Sequence, residues 1–244
     1  KKSIFVDKQK RPIRNKHDLE RAQKLRIPPA WKKVVVSRDP TAKVQAIGLD
    51  EKARAQFIYS SEHKKIKSGQ KFQRVSELGT RIKRILTSLR KIFKQTGYTK
   101  IKVGALLLVL ISLTSLRVGN EINRRKYNTH GLSTLLKKHI TLDDAKKEAR
   151  FKFIGKKGVE NSAKVKDVTI YNLLKGLRNR FKPKLNDHFF KYEGKDGKPY
   201  NITAGDINKL LKQFGPFTAK DFRTYNANLE LVKALDKMPI PDGI

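Results

Sequence analysis

Three cations sit where a solvated side chain would not be expected. In "LISLTSLRVGNEINRR", Arg117 follows the most apolar run of the chain with no turn residue before it. Lys156 occupies "FKFIGKKGV" between Gly155 and Gly158, whose lack of a side chain lets backbone approach a ligand closely. Arg223 lies in "KDFRTYNAN" between Phe222 and Tyr225. An arginine offers a planar fork that holds phosphate oxygens at any working pH. A lysine can in addition give up a proton to a departing oxygen. Two arginines and one lysine are what metal-free phosphoryl transfer needs, the arginines neutralising charge on the phosphate while the lysine protonates the leaving alkoxide. Plain nucleic-acid binding stays open beside catalysis, because a chain with 57 Lys+Arg offers such trios by chance.

The charge balance names the partner class. Lys+Arg 57 against Asp+Glu 22 leaves +35 on 244 residues, spread end to end and interleaved with 38% hydrophobic residues. Such an excess on a foldable chain points to a polyanion, double-stranded DNA first, because neutralising phosphates releases condensed counterions. An anionic membrane surface fits less well. The apolar run from Val103 to Leu116 is broken by Gly104, Ser112, Thr114 and Ser115, and it falls short of the ~20 residues that span a bilayer. The start, "KKSIFVDKQKRP", carries charge without a signal peptide's apolar centre. With no cysteine, thiol chemistry and cysteine metal sites are excluded, and the five histidines (17, 63, 130, 139, 188) show no metal-ligand spacing. The expectation is an intracellular, monomeric protein with no metal and no cofactor.

These cations need elements to position them. "NKHDLERAQKL" predicts a helix capped by Asn15 and stopped by Pro28-Pro29. "WKKVVVSRD", "KVQAIGLD" and "RAQFIYSS" then read as short strands punctuated at Asp39-Pro40 and Gly48-Leu49-Asp50. The polar stretch 64–71, "KKIKSGQK", reads as a linker. From Phe72 the period becomes helical, with Val75, Leu78, Ile82, Ile85, Leu86, Leu89 and Phe93 on one face. One apolar helix is expected over roughly 102–125, and a hairpin from Phe151 to Val165 turned by "GKKG". Helical text follows in "IYNLLKGLRNRF", "AGDINKLLKQFG" and "TAKDFRTYNANLELVKALDKM". The fold class is therefore α+β, a β-rich domain over 1–71 followed by a mainly helical domain with a short hairpin over 72–244.

"SLRVGNE", "THGLSTLLKKHI", "FKFIGKKGV" and "KDFRTYNAN", together with "RIPPAWKKVVVSRDPTAKVQAIGLDEKARAQFIY", resemble in order and spacing the small type IB DNA topoisomerases of poxviruses, giant viruses and bacteria. The resemblance implies a clamp on duplex DNA, with one strand cut through a 3′-phosphotyrosine link, rotation, and resealing without ATP or metal. It implies that Arg117 is the first catalytic arginine, Lys156 the general acid and Arg223 the second arginine. It further implies a virion or virus factory, or a bacterial cytoplasm, as the setting. The family's histidine and nucleophilic tyrosine lie well downstream of the Lys-Asp-x-Arg-Thr motif, whereas 21 residues follow Arg223 here, without histidine. Tyr225 matches a non-catalytic aromatic and His139 a histidine outside the active-site set. The expectation is a chain that binds DNA without cutting it.

Further DNA contacts are expected from Arg54, Gln56 and Tyr59, read along one strand face, and from Asn120 and Asn123, whose amides could read adenine. Arg124, Arg125, Lys137 and Lys138 are candidates for the phosphate backbone, and Lys220 and Asn228 for the surroundings of Arg223. A tyrosine recombinase shares the cationic trio but lacks the β-rich domain and the Ile27–Trp31 stretch. A non-catalytic nucleic-acid-binding protein is the other rival.

Overall fold

The computed structural model describes residues 5–7 and 9–238. Part of the opening segment, and the final stretch 239–244, lie outside them. The chain divides into two compact units, Lys1–Phe72 and Gln73–Ile244.

In the first unit, α1 (Lys16–Lys24) starts at Asn15, whose side chain accepts the Asp18 N–H at 3.2 Å. Strands β1 (Lys32–Val36), β2 (Val44–Leu49) and β3 (Ala55–Tyr59) form an antiparallel sheet in that order. Each turn is organised by an aspartate. Asp39 accepts from Thr41 N at 2.7 Å, and Asp50 from Lys52 N and Arg54 N, both at 3.0 Å. Gly48 is needed because a Cβ there would lie 2.6 Å from the Trp31 ring.

Helix α2 (Ser61–Ile92) runs unbroken through the stretch expected as a linker. Its lysines are good helix formers, and the one glycine, Gly69, costs only about 1 kcal/mol, too little to interrupt so long a helix. The Ser60 hydroxyl starts it by accepting the His63 N–H at 3.1 Å. Val75, Leu78, Ile82, Ile85 and Leu89 form its buried face, as the periodicity predicts.

The second unit is built around α3 (Lys100–Thr114), capped by Thr99 and buried on every side from Lys102 to Ile111. The expected single helix over 102–125 is in fact two. After Ser115 the chain leaves helical geometry, and α4 (Glu121–Tyr127) restarts from Asn120. Two 3₁₀ turns (Leu132–Thr134, Lys137–His139) lead into the sheet β4 (Ile140–Asp143), β5 (Glu148–Ile154) and β6 (Glu160–Lys166). Helix α5 (Val168–Phe181), the two-stranded β7 (Lys191–Glu193) and β8 (Pro199–Asn201), α6 (Ala204–Leu211) and α7 (Ala219–Leu235) complete it. α3 packs against α6, α7, β6 and β7. Among the described residues no helix is long and apolar enough to cross a membrane. β4, β7 and β8 escape sequence reading because strands of three or four residues hold no period, and pairing alone makes them strands.

Candidate active site

The Arg117 loop begins with a left-handed residue. Ser115 ends α3 at φ 54°, ψ 15°, its N–H bonded to Ile111 O at 2.9 Å. Leu116 turns back into the core, and Arg117 stands exposed one residue later. The next segment along the fold holds this loop by its backbone: Leu132 N–H donates to Arg117 O at 2.8 Å, and Ser133 N–H to Val118 O at 2.6 Å. The approach is so close that a Cβ on Gly131 would lie 2.4 Å from Gly119 N and 2.6 Å from Arg117 O. Gly119 itself has φ 96°, which disfavours a side chain.

The same segment grips the lysine hairpin. His130 N–H donates to Ile154 O at 2.8 Å, immediately before Gly155. At the tip, Gly155 N–H reaches Val159 O at 2.8 Å, and Lys157 and Gly158 take left-handed φ values of 67° and 75°. Lys156 is exposed there. Residues 130–133 thus tie the Arg117 loop to the Lys156 hairpin through backbone hydrogen bonds, which a change of side chain cannot easily remove.

Arg223 enters from α7. Asp221 caps the start of this helix, its carboxylate accepting from Thr218 N and Oγ1 at 2.9 and 2.8 Å. Arg74 of α2 forks onto the same carboxylate, with Nε at 2.9 Å and Nη2 at 3.0 Å. Burial is the largest influence on Asp221 and opposes its ionisation. The hydrogen bonds from Arg74 and Thr218 together outweigh it and hold the carboxyl below its ordinary value. Two residues on, Arg223 is half-buried and donates from Nε to Ser115 O at 2.5 Å. Its pKa is lowered, first by burial and then by the charge of Arg117. Among the described residues neither Arg117 nor Arg223 has an acidic ion-pair partner. Two like charges near enough to repel, neither with a carboxylate among the described residues, give positive potential suited to an anion.

Other expected residues are placed differently. Lys220 and Asn228 are exposed on α7 before and after Arg223. Asn120 caps α4, accepting the Asn123 N–H at 3.2 Å, so its side chain already has a structural task. Arg124 forks onto Glu121 at 2.9 and 2.6 Å, and Arg125 reaches the same carboxylate at 3.2 Å. Lys137 and Lys138 are fixed by backbone bonds to Asp187 O and Leu185 O, both 3.0 Å. The expectation of one face for Arg54, Gln56 and Tyr59 is corrected. Strand alternation puts Tyr59 on the exposed side with Phe57, while Gln56 falls on the half-buried side with Ile58 and bonds Asp50 at 2.9 Å. Arg54 pairs with Asp50 at 2.7 Å. These three belong to the first unit.

His139 accepts the Leu136 N–H on Nδ1 at 3.1 Å and stands 4.4 Å from the His130 ring. Burial, then the neighbouring His130 and Lys138 charges, lowers its pKa to about 4, so it is neutral at physiological pH. The Tyr225 ring fills the space of a Gly79 side chain, 2.8 Å from where its Cβ would be. Among the described residues no acid or histidine cluster could hold a metal ion. Sequence reasoning missed Arg74, Ser115, Asp221 and Asn226. Ser115, Asp221 and Asn226 lie inside the quoted motifs and Arg74 on a different helix, and only their partners across the fold reveal them.

Residues 60–243 match the family model described as eukaryotic DNA topoisomerase I, catalytic core, and residues 3–50 match bacterial DNA topoisomerase IB, N-terminal domain. DNA topoisomerase 1B of Acanthamoeba polyphaga mimivirus is 32% identical over 220 residues, covering 89% of this chain and 65% of that protein. Human DNA topoisomerase 1 is 27% identical over 197 residues, covering 76% of this chain and 24% of its own. This chain therefore spans less than two thirds of either relative. A solved structure of XerH site-specific recombinase bound to difH matches 63% of this chain and 42% of its own at 21% identity, with a TM-score of 0.42, too low to carry an argument. With the catalytic-core match running from residue 60 to 243 across the Arg117 loop, the Lys156 hairpin and α7, the chain belongs to the DNA topoisomerase I catalytic-core family.

Proposed function

We propose that this chain supplies the DNA-binding and charge-stabilising core of a type IB topoisomerase that relaxes supercoiled duplex DNA. The observation that carries this reading is the bond from Arg223 Nε to Ser115 O, two residues before Arg117, with neither arginine given an acidic partner among the described residues. In the proposed reaction a tyrosine oxygen attacks phosphorus, the bond to the 5′ oxygen breaks, and a 3′-phosphotyrosine forms. Arg117 and Arg223 hold the non-bridging oxygens as charge develops, and Lys156 gives its proton to the departing 5′ oxygen. Religation runs the same steps backwards, the 5′-OH returning its proton to Lys156. No external energy source is needed, because the covalent link conserves the phosphodiester. Tyr225 does not supply the nucleophile in this reading, since its ring is packed on Gly79.

Duplex DNA is the proposed partner, bound by one chain at a time wherever such DNA is processed. In the first unit the exposed sheet face carries Val35, Ile47 and Phe57 in register across three strands, at 68, 42 and 47% exposure. Tyr59 stands beside Phe57 on that side, so the aromatic face, rather than the Arg54 and Gln56 face, is the better candidate for contact with DNA. The test is to incubate this polypeptide with supercoiled plasmid and with a labelled duplex. Salt-sensitive binding without relaxation or covalent adduct is expected. Relaxation by this chain would overturn the assignment of the nucleophile, and absence of binding at low salt would overturn the whole reading.

A further inference from the structure

Helix α3 ends without a glycine cap, and α7 supplies what the cap leaves open. The last carbonyls of a helix have no partner within it. Here Asn226 Nδ2 donates to Ser112 O at 2.7 Å and to Ser115 Oγ at 2.9 Å. Arg223 Nε donates to Ser115 O at 2.5 Å. Arg223 and Asn226 are three residues apart and so neighbours on one side of α7, and both close on the same turn of α3. The negative end of the α3 dipole also favours a guanidinium there. Ser115 is the shared node: its left-handed backbone turns the chain toward Arg117, its carbonyl takes Arg223, and its hydroxyl takes Asn226.

We propose that Asn226 and Ser115 are positioning residues, whose contact registers α7 on the end of α3 and so sets Arg223 beside Arg117 as one phosphate grip. Neither side chain touches the phosphate. Each acts through a guanidinium, and a shift of that group by about 1 Å can cost on the order of 10²-fold in rate. The inference rests on the phosphodiester reading above, but its geometric half is measured without DNA.

The experiment uses this chain, wild type and with Asn226→Ala, Ser115→Ala, Arg223→Ala and the double change Asn226→Ala/Arg223→Ala. Hydrogen exchange at the Arg223 Nε–H is followed by NMR, and affinity for a 24-bp duplex is measured against salt concentration. Asn226→Ala is expected to speed Nε–H exchange at least tenfold. It should also lower the salt slope by about one, as expected for one lost phosphate contact. Arg223→Ala should lower the slope equally, and the double variant no further. Ser115→Ala, which keeps the carbonyl and removes only the Oγ acceptor, should move both readouts in the same direction, and it carries the test if Asn226→Ala does not fold. Wild-type exchange and slope in a folded Asn226→Ala, with Arg223→Ala still lowering the slope, overturns the inference and leaves the function standing. If Arg223→Ala leaves the slope unchanged, the phosphodiester reading fails instead. Nε–H protection then decides the positioning claim, which unchanged exchange refutes.

Discussion

Arg74 and Arg223 meet the same first turns of α7 under opposite conditions. Arg74 forks onto Asp221, a carboxylate 1% exposed, and its pKa is raised chiefly by that hydrogen bond. Arg223 is also withdrawn from water, yet its ionised neighbour is another arginine, and its pKa is lowered by burial and by Arg117. A buried pair whose members satisfy each other holds structure together, whereas a desolvated cation facing a second cation is a cost that the fold carries until an anion arrives. The two guanidiniums thus separate a compensated charge from an uncompensated one within a few residues of one helix, the second being the one proposed to hold phosphate.

Asp221→Ala should produce the largest change. It strands the Arg74 charge and removes the Thr218 cap, so a loss of roughly 3–5 kcal/mol is expected, read as a fall in the denaturant midpoint. If stability hardly moved, the scaffold side of the contrast would be wrong. Arg223→Ala should do the reverse. It relieves the repulsion from Arg117 but leaves Ser115 O without its donor, so stability should fall by only about 1 kcal/mol, while in the protein that carries this sequence strand cleavage should fall on the order of 10²–10³-fold. Equal damage to fold and cleavage would dissolve the distinction between the two arginines.

The pH dependence sharpens it further. His139 has a folded pKa of about 4 against an ordinary 6.5, and burial also lowers His130. The unfolded chain therefore takes up protons first, and stability should decline as pH falls from about 6.5 toward 4, then level off for His139. Asp221 acts lower down: its depressed pKa makes its contribution full above the ordinary carboxylate value and lost as pH falls below it. Denaturant titrations at stepwise pH should show the upper decline flattened by His139→Asn, with the lower one untouched. The smallest effect is assigned to Lys220→Ala. Its side chain is exposed one turn before Arg223, so the salt slope of duplex binding should drop by about one with the unfolding midpoint unchanged.

Much of this was legible in one dimension. The buried face of α2, the α1 cap, the three strands of the first unit and the Phe151–Val165 hairpin all follow from period and turn chemistry, because those signals are local. Arg117, Lys156 and Arg223 stood out because each is a cation in apolar or glycine-rich surroundings. Reading failed at 64–71 because polar composition alone does not end a helix. It failed again at 102–125 because the left-handed turn at Ser115 carries no glycine to announce it.

The order of residues by itself determined which cations were available, that their excess of charge suits a polyanion, and that the run 103–116 would be a buried helix. Only the tertiary structure decided that Arg223 bonds the Ser115 carbonyl two residues before Arg117, that Arg74 is answered by Asp221, and that Asn226 caps a helix more than a hundred positions earlier. The physical reason is range. Helical and strand periods express neighbours within a few residues, whereas whether a charge is compensated or left exposed to an anion depends on what distant segments bring to it.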